Sequence, residues 1–349
     1  MTRNSILFTP VNSNPYQHLL TKALADVEIN VLHRRDIPPI HWQWAHRHSV
    51  KVIHIHWIQG LYRGGIFTPL TFLRFIFRVL VAKHILGYKF VWTAHNIFPH
   101  NSYSILLDWL GRKFVVSQCN RIIALCEFSK REIRDRYSEN ADISIIPIGT
   151  YHDIYPDVIE KDAARRKLAI DSEDFVYLYF GIIRPYKGVS NLVKAFNAIP
   201  ADRKKLLICG NCPSKELKDE LFALADNNPN ITFVFDYIPD EDIQHYFQAS
   251  NVVVLPFNEV TTSSSVMLSM AYGRPIIVPR LGCLPEYVKD NVGWIYDPEV
   301  SGSLENCMLS ATESLTHEEF GQNAYQYVRE DKFSWETISR KTVKVYEST

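Results

Sequence analysis

The sequence predicts an α/β protein built from two doubly wound parallel sheets. Short apolar runs recur along the chain, each followed by a segment of helical length, and they fall into two sets of six. With 349 residues there is room for two domains of about 150 each, both able to bury a core. Strands alternating with helix-length segments pair in parallel through right-handed crossovers, so each set makes one Rossmann-like domain.

In the first half the runs are 5–8 (SILF), 27–32 (VEINVL), 51–56 (KVIHIH), 89–95 (KFVWTAH), 121–125 (RIIAL) and 143–147 (ISIIP). In the second they are 175–181 (FVYLYFG), 205–210 (KLLICG), 231–235 (ITFVF), 252–256 (VVVLP), 275–279 (PIIVP) and 293–297 (GWIYD). The turn 147–149 and the charge-rich segment 151–174 mark the seam, giving domains at 1–155 and 156–333. A last helix, 334–349 with Trp335, is expected to pack back on the first domain. The segment 67–86 is unusually apolar for a surface helix. Thr71, Arg74 and Arg78 share one stripe and Lys83 lies nearly opposite. It reads either as a half-buried crossover helix with a cationic edge or as one that also rests on anionic lipid.

Lys+Arg and Asp+Glu both total 38, so bulk positive charge cannot hold nucleic acid and any anion site must be local. Residues 1–8 carry too short an apolar run for a secretory signal, and no run is long and uncharged enough to span a bilayer, which points to the cytoplasm. The cysteines at 119, 126, 209, 212, 283 and 307 include one CxxC with no second pair to complete a zinc site, so reduced thiols are expected.

Three constellations carry chemistry. In YFGIIRPYKGV (179–189) a strand ends at Gly181, Arg184 and Lys187 sit in a tight turn, and Gly188 opens a helix. Two cations beside a helix N-terminus, at the carboxyl edge of a sheet, suit a pyrophosphate; the plainer alternative is a solvated loop. Thr261, Thr262, Ser263, Ser264 and Ser265 follow VVVLP and precede a helical run. A cap needs one hydroxyl, and five suggest an anion cradle. His54, His56, His95 and His100 emerge at strand ends and suggest a polar cleft wall, with pKa values suited to proton transfer near neutrality. No carboxylate or cysteine falls at a matching zinc spacing. Asp240-Glu241-Asp242 matches DxD formally, but at the start of a helix it complements the dipole without a metal.

FGIIRPYKG, LPF…TSSSVMLSMAYGRPIIVP, GCLPEYV and FSWETIS together resemble the GT-B fold glycosyltransferases, especially the family-4-like group, over nearly the whole chain. HIHW, TAHNIFPH and the TSSSVMLSMA that replaces the usual acidic motif are most like the xanthan-type β-mannosyltransferases of exopolysaccharide biosynthesis. The resemblance implies an acceptor-binding first domain and a nucleotide-sugar-binding second domain facing a central cleft. It implies hexose transfer, first from GDP-mannose and next from UDP-glucose or UDP-glucuronate, to a polyprenyl-diphosphate-linked saccharide at the inner membrane face. No metal or cofactor is expected.

Carried over by motif, Arg184 and Lys187 hold the donor diphosphate with Thr262, Ser263, Ser264 and Ser265. His95 stands beside the reacting sugar, with His56 and His100 behind it as candidate bases. Tyr237 and Ile238 meet the nucleotide base. Of the two glutamates eight positions apart in the retaining pattern, Thr261 occupies the first place and Ser269, on the ribose side, the second; Glu259 is displaced by two. Their absence leans towards inversion. The rivals are a retaining family-4 enzyme using a UDP-sugar, a sugar-nucleotide epimerase, and a non-catalytic nucleotide-sugar-binding protein.

Overall fold

Each of the twelve runs folds as a strand. A computed structural model describes residues 5–12, 14–63, 65–97, 104–200, 202–314 and 316–349. β1 (Ser5–Thr9), β2 (Asn30–His33), β3 (Val50–Ile55), β4 (Lys89–Thr93), β5 (Arg121–Ala124) and β6 (Ile143–Ile145) form a sheet in the order β2-β1-β3-β4-β5-β6. β7 (Phe175–Phe180), β8 (Lys204–Cys209), β9 (Ile231–Val234), β10 (Val252–Val254), β11 (Ile276–Pro279) and β12 (Gly293–Tyr296) form the other, β12-β11-β10-β7-β8-β9. All pairings are parallel.

A parallel sheet is covered on both faces, so its strands read as continuous apolar runs rather than as alternation. β7 (FVYLYF) buries its four central residues, and β10 and β11 are buried throughout. Each such apolar side chain stabilises the fold by about 1.5–3 kcal/mol.

Both sheets reverse direction once. The chain leaves β1 for β2 on one side and returns as β3 on the other; it leaves β7 through β8 and β9 and returns as β10 on β7's free side. Crevices therefore open at the carboxyl ends of β1/β3 and of β7/β10, where doubly wound sheets bind ligands.

The chain divides into two compact units. One runs to Gly149 and takes in Asp331–Thr349; the other is Thr150–Glu330. In the first unit the final helix, Trp335–Glu347, packs along the helix Pro15–Asp26. Trp335 meets Tyr16 edge-on at 5.4 Å. Gly149 is bare where a Cβ would fall 2.5 Å from the Trp335 ring.

Two elements depart from the sequence expectation. The second strand begins at Asn30, not at 27, because Val27 closes the preceding helix onto Leu24 and Glu28 turns the chain in the left-handed region (φ 63°). The segment 67–86 is an α-helix, Thr68–Leu80, that widens into a π-turn, Val81–Ile85. Its expected cationic stripe is mostly spent internally. Arg78 pairs with Asp36 at 2.8 Å, Lys83 donates to the Gln118 carbonyl at 2.5 Å, and the Thr71 hydroxyl donates to the Tyr62 carbonyl.

Candidate active site

In the second unit, β7 delivers Arg184 into a 3-10 turn, Pro185–Lys187, closed by Gly188. Gly188 has φ 70°, and a Cβ there would stand 1.8 Å from the Pro256 carbonyl oxygen, so only glycine lets this turn lie on the loop after β10. That loop holds the turn from below. The Asn258 amide donates to the Tyr186 carbonyl (2.9 Å) and Asn258 Nδ2 to the Pro185 carbonyl (3.0 Å), while Asn191 Nδ2 donates to Asn258 Oδ1 (2.9 Å). The helix Ser264–Ala271 starts beside the end of β7: Ser265 Oγ is 3.4 Å from where a Gly181 Cβ would be.

The electrostatics of this edge are unbalanced. Among the described residues no carboxylate pairs with Arg184 or Lys187. Lys187 Nζ lies over the Phe257 ring at 4.6 Å and the Tyr186 ring at 5.3 Å. Its pKa is pushed down to about 8, first by desolvation and then by the neighbouring Arg184 charge. Arg184 Nε, Thr262 Oγ1 and Ser263 Oγ are buried without hydrogen-bond partners. Ser263 occupies the N-cap position yet gives its side chain to no helix amide, leaving the first-turn N–H groups open. A buried unsatisfied donor costs about 1–3 kcal/mol. Arg184 Nε and the two hydroxyls, with the Lys187 ammonium and a helix N-terminus, form a cradle shaped for a polyanion.

The remaining residues singled out in this half lie around that cradle. Ser264 and Ser265 are half-buried in the first turn. Ser269 is buried, and its hydroxyl donates to the Ser265 carbonyl at 2.7 Å. Tyr237 (75 % exposed) and buried Ile238 follow β9, two strands from β7. Asp242 does not serve the helix dipole through a cap bond; it pairs with Lys167 at 2.8 Å and lies 3.5 Å from His245.

In the first unit, His54 and His56 project from the same face of the chain at and just beyond β3, beside the β1/β3 crevice. The His56 amide donates to the Thr9 carbonyl at 2.9 Å. His54 is fully buried between Tyr346 Oη and Thr93 Oγ1, both at 2.7 Å, and is structural. His56 Nδ1 and His95 Nε2 are 3.1 Å apart, and His56 Nε2 is buried without a partner. Trp57 stacks on His95 (4.3 Å, 11°) and Tyr16 meets it edge-on (4.7 Å). His100 lies outside the described residues.

The expectation of histidines titrating near neutrality is corrected. Burial lowers His54 and His95 to about 3 and His56 well below its ordinary value. These imidazoles stay neutral in the fold while unfolded histidine takes a proton near 6.5. The unfolded state therefore binds more protons below that pH, so the stability is complete above about 6.5 and lost as pH falls. Each histidine contributes up to about 1.4 kcal/mol per pH unit. The urea midpoint should drop steeply between pH 7 and 5.5; a constant midpoint would mean the cluster is open to protons.

Sequence reasoning did not find Tyr16, Trp57 and Tyr346 as the wall of the histidine cluster, nor Asn258 as the clamp of the cationic turn. The two-residue spacing of His54 and His56 does put them on one face of a strand; their aromatic partners come from opposite ends of the chain.

Two Rossmann-like units, with a cationic cradle at the switch point of the second, fit a GT-B glycosyltransferase. The family comparisons agree: residues 10–154 match Glycosyltransferase Family 4 and residues 160–327 match Glycosyl transferases group 1. The chain is a GT-B glycosyltransferase made of these two family domains. It is similar to the GDP-mannose:glycolipid 4-beta-D-mannosyltransferase of Xanthomonas campestris pv. campestris, 24% identical over 320 residues, covering 88% of this chain and 83% of that protein. Among solved structures it resembles sucrose-phosphate synthase from Thermosynechococcus elongatus (TM-score 0.81, 18% identity, 99% and 98% of the two chains). It also resembles Anabaena Alr3699/HepE in complex with UDP-glucose (TM-score 0.79, 16% identity, 99% and 100%).

Proposed function

We propose that this glycosyltransferase moves a hexose from a nucleotide diphosphate sugar to a saccharide carried on a polyprenyl diphosphate, as in exopolysaccharide assembly at the inner face of the plasma membrane. The reaction is metal-independent and inverts the anomeric centre. The observation that carries the reading is the set Arg184 Nε, Thr262 Oγ1 and Ser263 Oγ, buried without hydrogen-bond partners, beside the Lys187 ammonium, which pairs with no carboxylate among the described residues. A diphosphate supplies the acceptor oxygens these groups lack. As the C1–O bond breaks, negative charge grows on the departing nucleotide, and a preorganised cradle stabilises it more than the ground state. The cations supply the neutralisation that a metal would otherwise bring. GDP-mannose is the first donor to test, because a relative spanning most of the chain is a GDP-mannose:glycolipid mannosyltransferase. His95 takes the acceptor hydroxyl proton while that oxygen attacks C1 from the opposite face.

One observation favours a second reading. A histidine lowered to about 3 is a weak base, and as a neutral hydrogen-bonding group His95 would equally suit a retaining transfer.

A thermal-shift panel of nucleotide sugars with chelator present is the first experiment. GDP-mannose should raise the melting temperature, and mannose should then appear on a lipid-linked saccharide as the β-anomer by NMR. An α-linked product selects the retaining route. Sugar-nucleotide conversion without acceptor selects the epimerase, and binding without turnover the non-catalytic protein. If no nucleotide sugar stabilises the chain, or only with a divalent cation, the cradle reading fails.

A further inference from the structure

The helix Thr68–Leu80 buries Thr68, Phe72, Phe75 and Val79 on one side. Its other side carries Leu70 (66 % exposed), Leu73 (63 %) and Phe77 (58 %) at helical spacing. A helix apolar on both sides belongs in a core or against an apolar solvent. The helix Ile105–Gln118 packs against it, with Phe114 on Phe75 (5.8 Å) and Gly111 under Tyr62 and Phe72. It presents Ile105 (81 %), Leu106 (64 %) and Trp109 to solvent. Among the described residues, more than half of the exposed large apolar side chains fall between Phe67 and Leu110. Such concentration marks an interaction surface.

Charge selects the partner. Between Asp36 and Glu127 the chain carries ten Lys and Arg but a single acid, Asp108, although the whole protein is neutral. Asp108 is buried and committed to Tyr62 Oη (2.5 Å) and Arg63 (3.1 Å). Arg74 flanks the leucine stripe, and Lys113, with Nζ 4.8 Å over the Trp109 ring, flanks the other; both are exposed. Among the described residues neither has a carboxylate partner. A second copy of the chain would bring like charges face to face across a two-fold interface. An anionic bilayer accepts both the apolar stripes and the cations. No helix among the described residues is long and apolar enough to cross a membrane.

We propose that these two helices lie in the interfacial layer of an anionic membrane, with the apolar stripes at the acyl boundary and Arg74 and Lys113 at headgroup phosphates. The inference rests on the surface alone, not on which sugar is transferred. The full chain should co-sediment with phosphatidylcholine–phosphatidylglycerol vesicles, and much less with phosphatidylcholine alone or at high salt. Leu70→Glu with Leu73→Glu should abolish co-sedimentation, and neutralising Arg74 or Lys113 should weaken it by about fivefold each. Nucleotide-sugar thermal shifts should be unchanged in every variant, which separates this proposal from the donor-site reading. Because Arg74 and Lys113 are exposed, those two variants keep the test valid if the double leucine variant misfolds. Failure to bind phosphatidylglycerol vesicles, or variants that bind as the parent does, would overturn it. So would a dimer in solution that Leu70→Glu dissociates.

Discussion

Arg184→Ala and Lys187→Ala should each reduce sugar transfer by about 10²–10³-fold, or about 2.7–4 kcal/mol, the loss typical of removing one preorganised donor from developing charge. Neither change should weaken the empty protein. No carboxylate in the described structure is left unpaired by losing either cation, and the Lys187 ammonium, already pushed down to about 8, is relieved of its cationic neighbour in Arg184→Ala. The melting temperature without ligand should therefore hold or rise, while the shift given by a nucleotide diphosphate disappears. Arg184→Lys is informative in between. It restores charge but not the planar fork or the buried Nε that lacks a partner, so it should recover only part of the rate. Near-parental turnover in either alanine variant would remove the diphosphate from this edge. A collapse of melting temperature without ligand would mean that the cations hold the fold.

The sheets were legible in the sequence because central parallel strands, buried on both faces, must be continuous apolar runs, and these recur between segments of helical length. The boundary at 27–30 was not, since the helix exit through Val27 and Glu28 depends on a backbone turn that apolar composition does not signal. The cationic turn was legible as residue types but not as a site. What marks it is the lack of protein partners at Arg184 Nε and Ser263 Oγ, and that follows from their neighbours in the fold rather than from residue types. The histidines show the opposite error. Their spacing gave the shared face, but the pKa expected from composition fails because Tyr16, Trp57 and Tyr346 close around them and take away their water. The one-sided charge of the segment between Asp36 and Glu127 was readable throughout; a whole-chain balance of zero conceals it.

His95→Ala should lower kcat by about 10²–10⁴-fold with little change in donor affinity, if its imidazole accepts the acceptor's proton. The geometry says which tautomer this requires. One of His56 Nδ1 and His95 Nε2, 3.1 Å apart, must carry the shared hydrogen. For His95 to accept a proton at Nδ1, the hydrogen must sit on its Nε2 and be donated to His56. Asparagine at 56 places an acceptor oxygen near the position of Nδ1, so His56→Asn should keep much of the activity, whereas His56→Ala should lose nearly as much as His95→Ala. The pH profile then separates base from ligand. Because burial holds His95 near 3, the empty enzyme has no acid limb from this group at pH 5–8, and kcat/KM should be flat on that side. A limb in kcat at pH 5–8 that is absent from kcat/KM would mean that this group's pKa rises once the substrates are bound, as a working base requires. If kcat also stays flat and His95→Ala loses only affinity, His95 is a neutral contact to the sugar, and the product should be the retained anomer.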